Sequence, residues 1–450
     1  MTGKERVLTT FRNERPDAVP WVPFAGVHAG KLAGFSAREV YTDANRLVTA
    51  IEEANRVYHA DGLPVMFDLQ LEAEVLGCDL LWGEDTPPTV TSHPLDSTGE
   101  IPDRLPEAAD GRIPIAIEAT RRLRNTVGRE TALYGLFCGP FTLASHLRGT
   151  NIFMDMFDDP DYVHRLLAYC VKVACRMADL YAEAGAHVLA SVDPLVSQIS
   201  PDHFAEFLHE PYLQLFSHIR KREVPGSLFV CGDATKNIEE MCKTAPDGIS
   251  VDENINLSEA KRITDSYNIV IAGNIPLASV MLFGSQQDNM KATLDLLESV
   301  EDTINLIVSP GCDMPYNVPP ENTIGCEQAI HHTHQTRQVL AHYHKTSLDI
   351  EVALPDYASL TRPLLEVFTI DSDTCAACGY MLQSAKDAKE TYGDAIDLEE
   401  YKAISEENIA RMQKMGVTHL PAIYINGELR FSSIIPSRDE LNKEIEAVRR

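Results

Sequence analysis

Eight short apolar runs punctuate the chain: Val19–Ala25, Leu63–Phe67, Ala132–Phe137, His187–Val192, Ser227–Val230, Gly248–Val251, Asn268–Ala272 and Ile304–Val308. Each has the length of a buried strand and is bounded by glycine, proline or polar residues. Between most of them lie stretches of helical period, Leu166 to Tyr181 and Met290 to Val300 among them. Strands alternating with helices predict a parallel sheet, and eight repeats predict a closed (β/α)8 barrel. A doubly wound open sheet gives the same alternation and is the second architecture the pattern allows. No Gly-x-Gly-x-x-Gly follows a strand, so nothing points to a dinucleotide. A helix around Arg6 to Phe11 precedes the first run, and the polar, proline-rich segment Gly83–Arg112 reads as an insertion.

Helical pattern ends near His344, and Leu354-Pro355 and Arg362-Pro363 interrupt the chain. The pattern therefore divides it into a barrel at 1–345, a linker at 346–363 and a second unit at 364–450. In that unit Leu365–Ile370 reads as a strand, and Cys375-Ala-Ala-Cys378 opens a helix over Gly379–Lys389. A helical stretch at Glu406–Lys414, a strand ending at Ile425, an Asn426-Gly427 hairpin and a helix at Asp439–Val448 follow. A C-x-x-C between strand and helix sets the first thiol at the positive helix end, which lowers its pKa. With Pro421 ahead of the next strand, the unit resembles a small thioredoxin or glutaredoxin domain. The resemblance implies Cys375 as the attacking thiol, Cys378 as the resolving one and Pro421 as a cis-proline facing them. Half of a metal site, or a fold relic with no redox role, is the other reading of the two cysteines.

Composition narrows the function classes. A formal charge of −28 argues against a nucleic-acid partner. No apolar run is long enough to span a membrane, and the N-terminus leads into no apolar signal segment, so the chain is expected to be cytoplasmic. Ten cysteines in such a chain read as core residues, metal ligands or redox thiols rather than a disulfide framework.

Several runs end on a residue with chemistry: Asp68, Cys138, Asp193, Cys231, Asp252, Asn274 and, just past the last run, Cys312. In a (β/α)8 barrel the C-terminal strand ends build the active site. Cys231 and Cys312 each sit at a glycine turn and, far apart in sequence, meet only if the fold joins them. They then either share a thiophilic metal or are core residues. His28, after the first run, either reaches the barrel mouth or is structural. The dense group His331, His332, His334, His342 and His344 reads as a solvated last helix.

Phe229-Val-Cys231-Gly-Asp, Ala272-Gly-Asn274-Ile-Pro276 and Ser309-Pro-Gly-Cys312-Asp313 resemble motifs of the uroporphyrinogen decarboxylase superfamily. So do Cys138-Gly-Pro140-Phe-Thr142, Asp159-Pro-Asp161 and Asp193-Pro194. Together with Phe67-Asp-Leu-Gln-Leu-Glu72-Ala-Glu74-Val-Leu-Gly77 they resemble its zinc-dependent methylcobalamin:coenzyme M methyltransferase branch, over about residues 3–340.

That resemblance implies a TIM barrel that binds zinc through His-x-Cys and a distant Cys. Cys231 and Cys312 match the two cysteines, and Phe229 stands where the histidine belongs. Glu72, Glu74 and Asp252 are the candidates to complete the ligand set, and Asp193, Asn274, Asp68 and His28 the candidates for the substrate pocket. The implied reaction moves a methyl group from methylcobalamin on a corrinoid protein to a small-molecule thiol or to tetrahydrofolate. The alternative is a thiol-disulfide oxidoreductase, or a corrinoid- or thiol-binding protein, whose barrel transfers no methyl. Porphyrinogen decarboxylation is disfavoured, because Val22 to Gly30 carries none of the arginines that hold porphyrin carboxylates and the chain is strongly acidic.

Overall fold

The computed structural model describes the chain except Thr98, His342, residues 344–349, 373–375, Thr418, Arg450 and the side chain of Ala376. It forms two compact units, one built on Met1–Val196 and Ser200–Lys345, the other on Thr346–Arg450.

In the first unit seven strands pair in parallel and in sequence order. They are β1 (Gly62–Pro64), β2 (Ala132–Cys138), β3 (Val188–Val192), β4 (Gly226–Val230), β5 (Gly248–Val251), β6 (Val270–Ile275) and β7 (Leu306–Pro310). Almost every strand residue is buried, as expected when helices cover a parallel sheet. The first apolar run takes the eighth position. Val22 N–H donates to the Val308 carbonyl (2.9 Å) and Val308 N–H to that of Pro20 (2.9 Å). On the other side Asp61 N–H reaches the Trp21 carbonyl at 2.9 Å. Residues 20–22 thus stitch β7 to β1 and close the barrel. Pro20 and Pro23 lack an N–H, which keeps this ladder to a single bridge.

The helices follow their sequence signals. The longest, Pro160–Ala184, starts at Asp159, whose carboxylate accepts from Tyr162 N–H (3.0 Å), and stops at Gly185 with φ 100°. Its apolar stripe, including Leu166, Val173 and Met177, is buried. Inside the barrel, Phe24, Phe67, Tyr134 and Phe229 pack with Val192, Ala272 and Ile307. Phe24 lies 4.7 Å from Phe229 and 5.9 Å from Tyr134, ring centre to ring centre. A buried aromatic of this kind stabilises by about 2–3 kcal/mol.

A two-residue ribbon pairs Leu80–Leu81, just ahead of the insertion, with Thr89–Val90 inside it, and the insertion ends at Arg112. His331 ends the helix Pro320–His331 and is not solvated: Nε2 lies 3.3 Å from Asp61 and Nδ1 3.2 Å from Glu327. His342 and His344 fall outside the described residues.

The second unit is a four-stranded sheet of order β9-β8-β10-β11. Its strands are β8 (Leu364–Thr369), β9 (Asp397–Lys402), β10 (Ala422–Ile425) and β11 (Glu428–Ser432). β9 runs parallel to β8; β10 and β11 are antiparallel. Asn426 and Gly427 both have positive φ, as a tight hairpin requires. Part of the expected linker belongs to this unit. Tyr357 OH donates to Glu366 (2.9 Å), and Lys414 Nζ to the Val352 carbonyl (2.7 Å).

Candidate active site

The barrel brings Cys231, one residue past β4, and Cys312, two past β7, to the same rim. Their Cα atoms are 5.8 Å apart and the sulfurs are joined as a disulfide. Both are half-buried and pack on the edge of the aromatic interior. Since β5 and β6 separate β4 from β7 in the sheet, the link crosses the mouth rather than joining neighbouring strands.

Of the other ligand candidates, Asp252 and Glu74 are committed elsewhere, while Glu72 keeps one buried oxygen without a partner. Asp252 accepts from Gly232 N–H (2.7 Å) and from the Asn254 backbone (2.9 Å). Glu74 accepts from Arg112 Nε at 2.7 Å. Glu72 is buried, accepts from Cys138 N–H (3.1 Å), and is pushed up to about 8 by loss of water. Among the described residues no three His, Cys, Asp or Glu side chains gather as a metal site. Zinc asks for about four ligands. The position two residues before Cys231 holds a fully buried phenyl ring, Phe229, and among the described residues no third donor gathers with the two cysteines. This donor set does not fit a zinc centre, and no step below is routed through one.

The pocket candidates are placed as follows. Asp193 is fully buried and accepts four hydrogen bonds, from Phe141 N–H (2.9 Å), Thr142 N–H (2.8 Å), Thr142 Oγ1 (2.6 Å) and Tyr212 OH (2.5 Å). Gly139 makes room for it, since a Cβ there would lie 2.3 Å from the Asp193 side chain. Burial raises the Asp193 pKa against these bonds. Asn274 Nδ2 donates to the carbonyls of Asp252 and Ile255, both at 2.8 Å, tying β6 to the loop after β5. Asp68 is buried against Arg112, which also stacks 4.8 Å from the Trp82 ring. His28 is sealed in, with Nδ1 2.9 Å from the Tyr316 carbonyl and Nε2 2.5 Å from Tyr58 OH. Burial lowers its pKa to about 4, so it is neutral. Asp193, Asp68 and His28 therefore hold the rim in shape.

Two residues absent from the expectations stand at the same rim. Glu253 follows Asp252 and accepts from Leu277 N–H at 2.5 Å. Gly311, next to Cys312, permits its approach: a Cβ there would sit 2.6 Å from Glu253 N. Desolvation, then the charge of Asp252, push the Glu253 carboxyl up to about 8. The acidic pair after β5 was the available signal. Asp313 accepts from Gly26 N–H (2.8 Å) at the start of the helix Gly26–Ala33, and burial raises its pKa.

In the second unit Cys378 is buried in the helix Ala376–Tyr392, and Ile370 N–H lies 3.4 Å from its sulfur. Leu420–Pro421 is a cis peptide. Cys375 lies outside the described residues.

A closed parallel barrel with cysteines at its C-terminal rim, followed by a small mixed sheet, defines the class. Residues 2–332 match the uroporphyrinogen decarboxylase (URO-D) family, and the chain belongs to it. Residues 365–446 match the thioredoxin domain family. Among relatives, the methylcobamide:CoM methyltransferase MtbA of Methanosarcina acetivorans is 29% identical over 330 residues, 71% of this chain and 95% of that protein. MtaA of Methanosarcina barkeri, also a methylcobamide:CoM methyltransferase, is 28% identical over 336 residues, again 71% and 95%. The uroporphyrinogen decarboxylase of Trichodesmium erythraeum is 28% identical over 270 residues, 57% and 73%. A solved methyltransferase from Methanosarcina mazei superposes with a TM-score of 0.68 at 23% identity, covering 74% of this chain and 99% of that one. No described helix is long and apolar enough to cross a membrane.

Proposed function

We propose that the chain is a corrinoid-dependent methyltransferase that moves a methyl group from a methylcobalamin-type donor, carried on a separate corrinoid protein, to a small-molecule thiol. The observation that carries this is the match, over 95% of their length, to relatives named as methylcobamide:CoM methyltransferases. The barrel supplies an acidic rim at its C-terminal face, where this fold builds active sites. The acceptor thiol must lose its proton to attack the methyl carbon. Glu253, held near neutrality beside Gly311 and Cys312, is the group to take that proton. Buried Asp193, Asp68 and His28 keep the strand ends and first helices in place around the pocket.

The test is product identification. Reduced full-length protein is incubated with isotopically methyl-labelled methylcobalamin and a panel of thiols or tetrahydrofolate. Label in a thioether supports the proposal. Label in methyltetrahydrofolate alone moves the acceptor to a nitrogen, and transfer to neither overturns the reading.

A further inference from the structure

We propose that Cys231 and Cys312 form a redox-active cystine that latches the barrel mouth and is opened by a protein dithiol. Five observations converge. The cysteines come from β4 and β7, so their bond spans the mouth across two intervening strands. Their Cα separation of 5.8 Å lies in the ordinary disulfide range. Both are partly exposed and so reachable by a thiol, as is Cys175, whereas the free cysteines Cys138, Cys170, Cys242 and Cys326 are buried. Phe229 offers no donor, and among the described residues no third His, Cys, Asp or Glu gathers with the pair to hold it as metal thiolates. The same chain carries a thioredoxin-family unit, whose general chemistry is dithiol–disulfide exchange.

The exchange balances as follows. A thiolate of the donor dithiol attacks one sulfur of the Cys231–Cys312 bond; that bond breaks and a mixed disulfide forms. The second donor thiol attacks the mixed disulfide and releases the barrel dithiol. Two electrons pass to the pair, the donor becomes a disulfide, and its two protons end on Cys231 and Cys312. Oxidised, the pair ties the ends of β4 and β7 together; reduced, it frees the rim for substrate. The exchange stands without the methyl-transfer reading, and only the effect on substrate access rests on it.

Full-length protein is equilibrated in buffers of graded oxidised to reduced dithiothreitol, alkylated and mapped by peptide mass spectrometry. Cys231 and Cys312 are expected to gain and lose protection together in one two-electron step. Reductant should remove the protection and a zinc chelator should leave it intact. Cys231→Ser should leave Cys312 alkylatable throughout. Alkylation of both residues in every buffer, or protection released by chelator and not by reductant, would overturn the proposal. Reduced thioredoxin is expected to open the pair at least tenfold faster than an equal thiol concentration of glutathione. Cys375→Ser then separates the sources: opening by the chain's own pre-reduced second unit is lost in that variant, while opening by added thioredoxin persists. Acceleration by neither dithiol would overturn the protein-dithiol step. Methyl transfer, measured separately on reduced protein, distinguishes failure of the latch from failure of the enzymatic reading.

Discussion

The ring of Phe229, on β4 two residues before Cys231, lies 4.7 Å from that of Phe24 in the barrel interior. Phe67 meets it edge-on at 5.6 Å. A position whose relatives are expected to carry an imidazole is here part of the hydrophobic core.

Replacing that ring by imidazole exchanges packing for a donor. Phe229→His should lower stability by about 2–4 kcal/mol, the scale of removing a well-packed aromatic, read from urea denaturation. The reduced variant should retain about one zinc per chain after dialysis, since it regains the missing ligand type, and the wild type should not. Stoichiometric zinc in the reduced wild type would contradict the fit drawn from Phe229.

Asp193 joins the end of β3 to the helix Pro140–Arg148 through three donors and to the helix His209–Arg220 through a fourth, Tyr212 OH. Asp193→Ala strands these donors in a dry site and should cost about 3–5 kcal/mol. Tyr212→Phe removes one donor and should cost about 1–2 kcal/mol. Equal costs for the two variants would mean that Asp193 is not the organising acceptor.

His331 gives the barrel a pH dependence. The neighbouring Asp61 and Glu327 carboxylates overcome burial and raise its pKa to about 9. A group whose folded pKa lies above its unfolded value stabilises fully below the unfolded value, near 6.5, and loses that contribution as pH rises through the folded one. Wild-type stability should therefore fall between pH 6.5 and 9, and the His331→Gln profile should be flatter there. A rise over that window attributable to His331 would contradict the pairing.

Glu253 should govern the acidic limb of catalysis, where activity is lost as pH falls. As proton acceptor it must be ionised, so the methyl-transfer rate should climb with pH through about 8. Glu253→Gln should lower the rate roughly 100-fold, the low end for general-base loss, and flatten that limb. An unchanged profile would remove Glu253 from the proton path.

Much of the architecture was legible in the sequence because burial on both sheet faces leaves apolar runs. Even the run at Val19–Ala25, cut short by its prolines, announced the strand position that closes the barrel. β9 escaped notice: Asp397-Leu-Glu-Glu-Tyr-Lys402 is a half-buried edge strand, polar on its exposed positions, and has no apolar run to read. The convergence of Cys231 and Cys312 was legible from their shared place at strand ends. Which rim carboxylates are free was not. Asp252 and Glu74 are consumed by Gly232 N–H and by Arg112, and Arg112 arrives from an insertion whose path no periodicity encodes.

The most direct test of methyl transfer is the absorbance change of methylcobalamin mixed with reduced wild-type protein, with and without an acceptor thiol. Thiol-dependent conversion to cob(I)alamin, with a matching yield of methyl thioether and saturation in protein, is the predicted result. Demethylation no faster than with thiol alone, from protein whose Cys231 and Cys312 are verified as reduced, would contradict it.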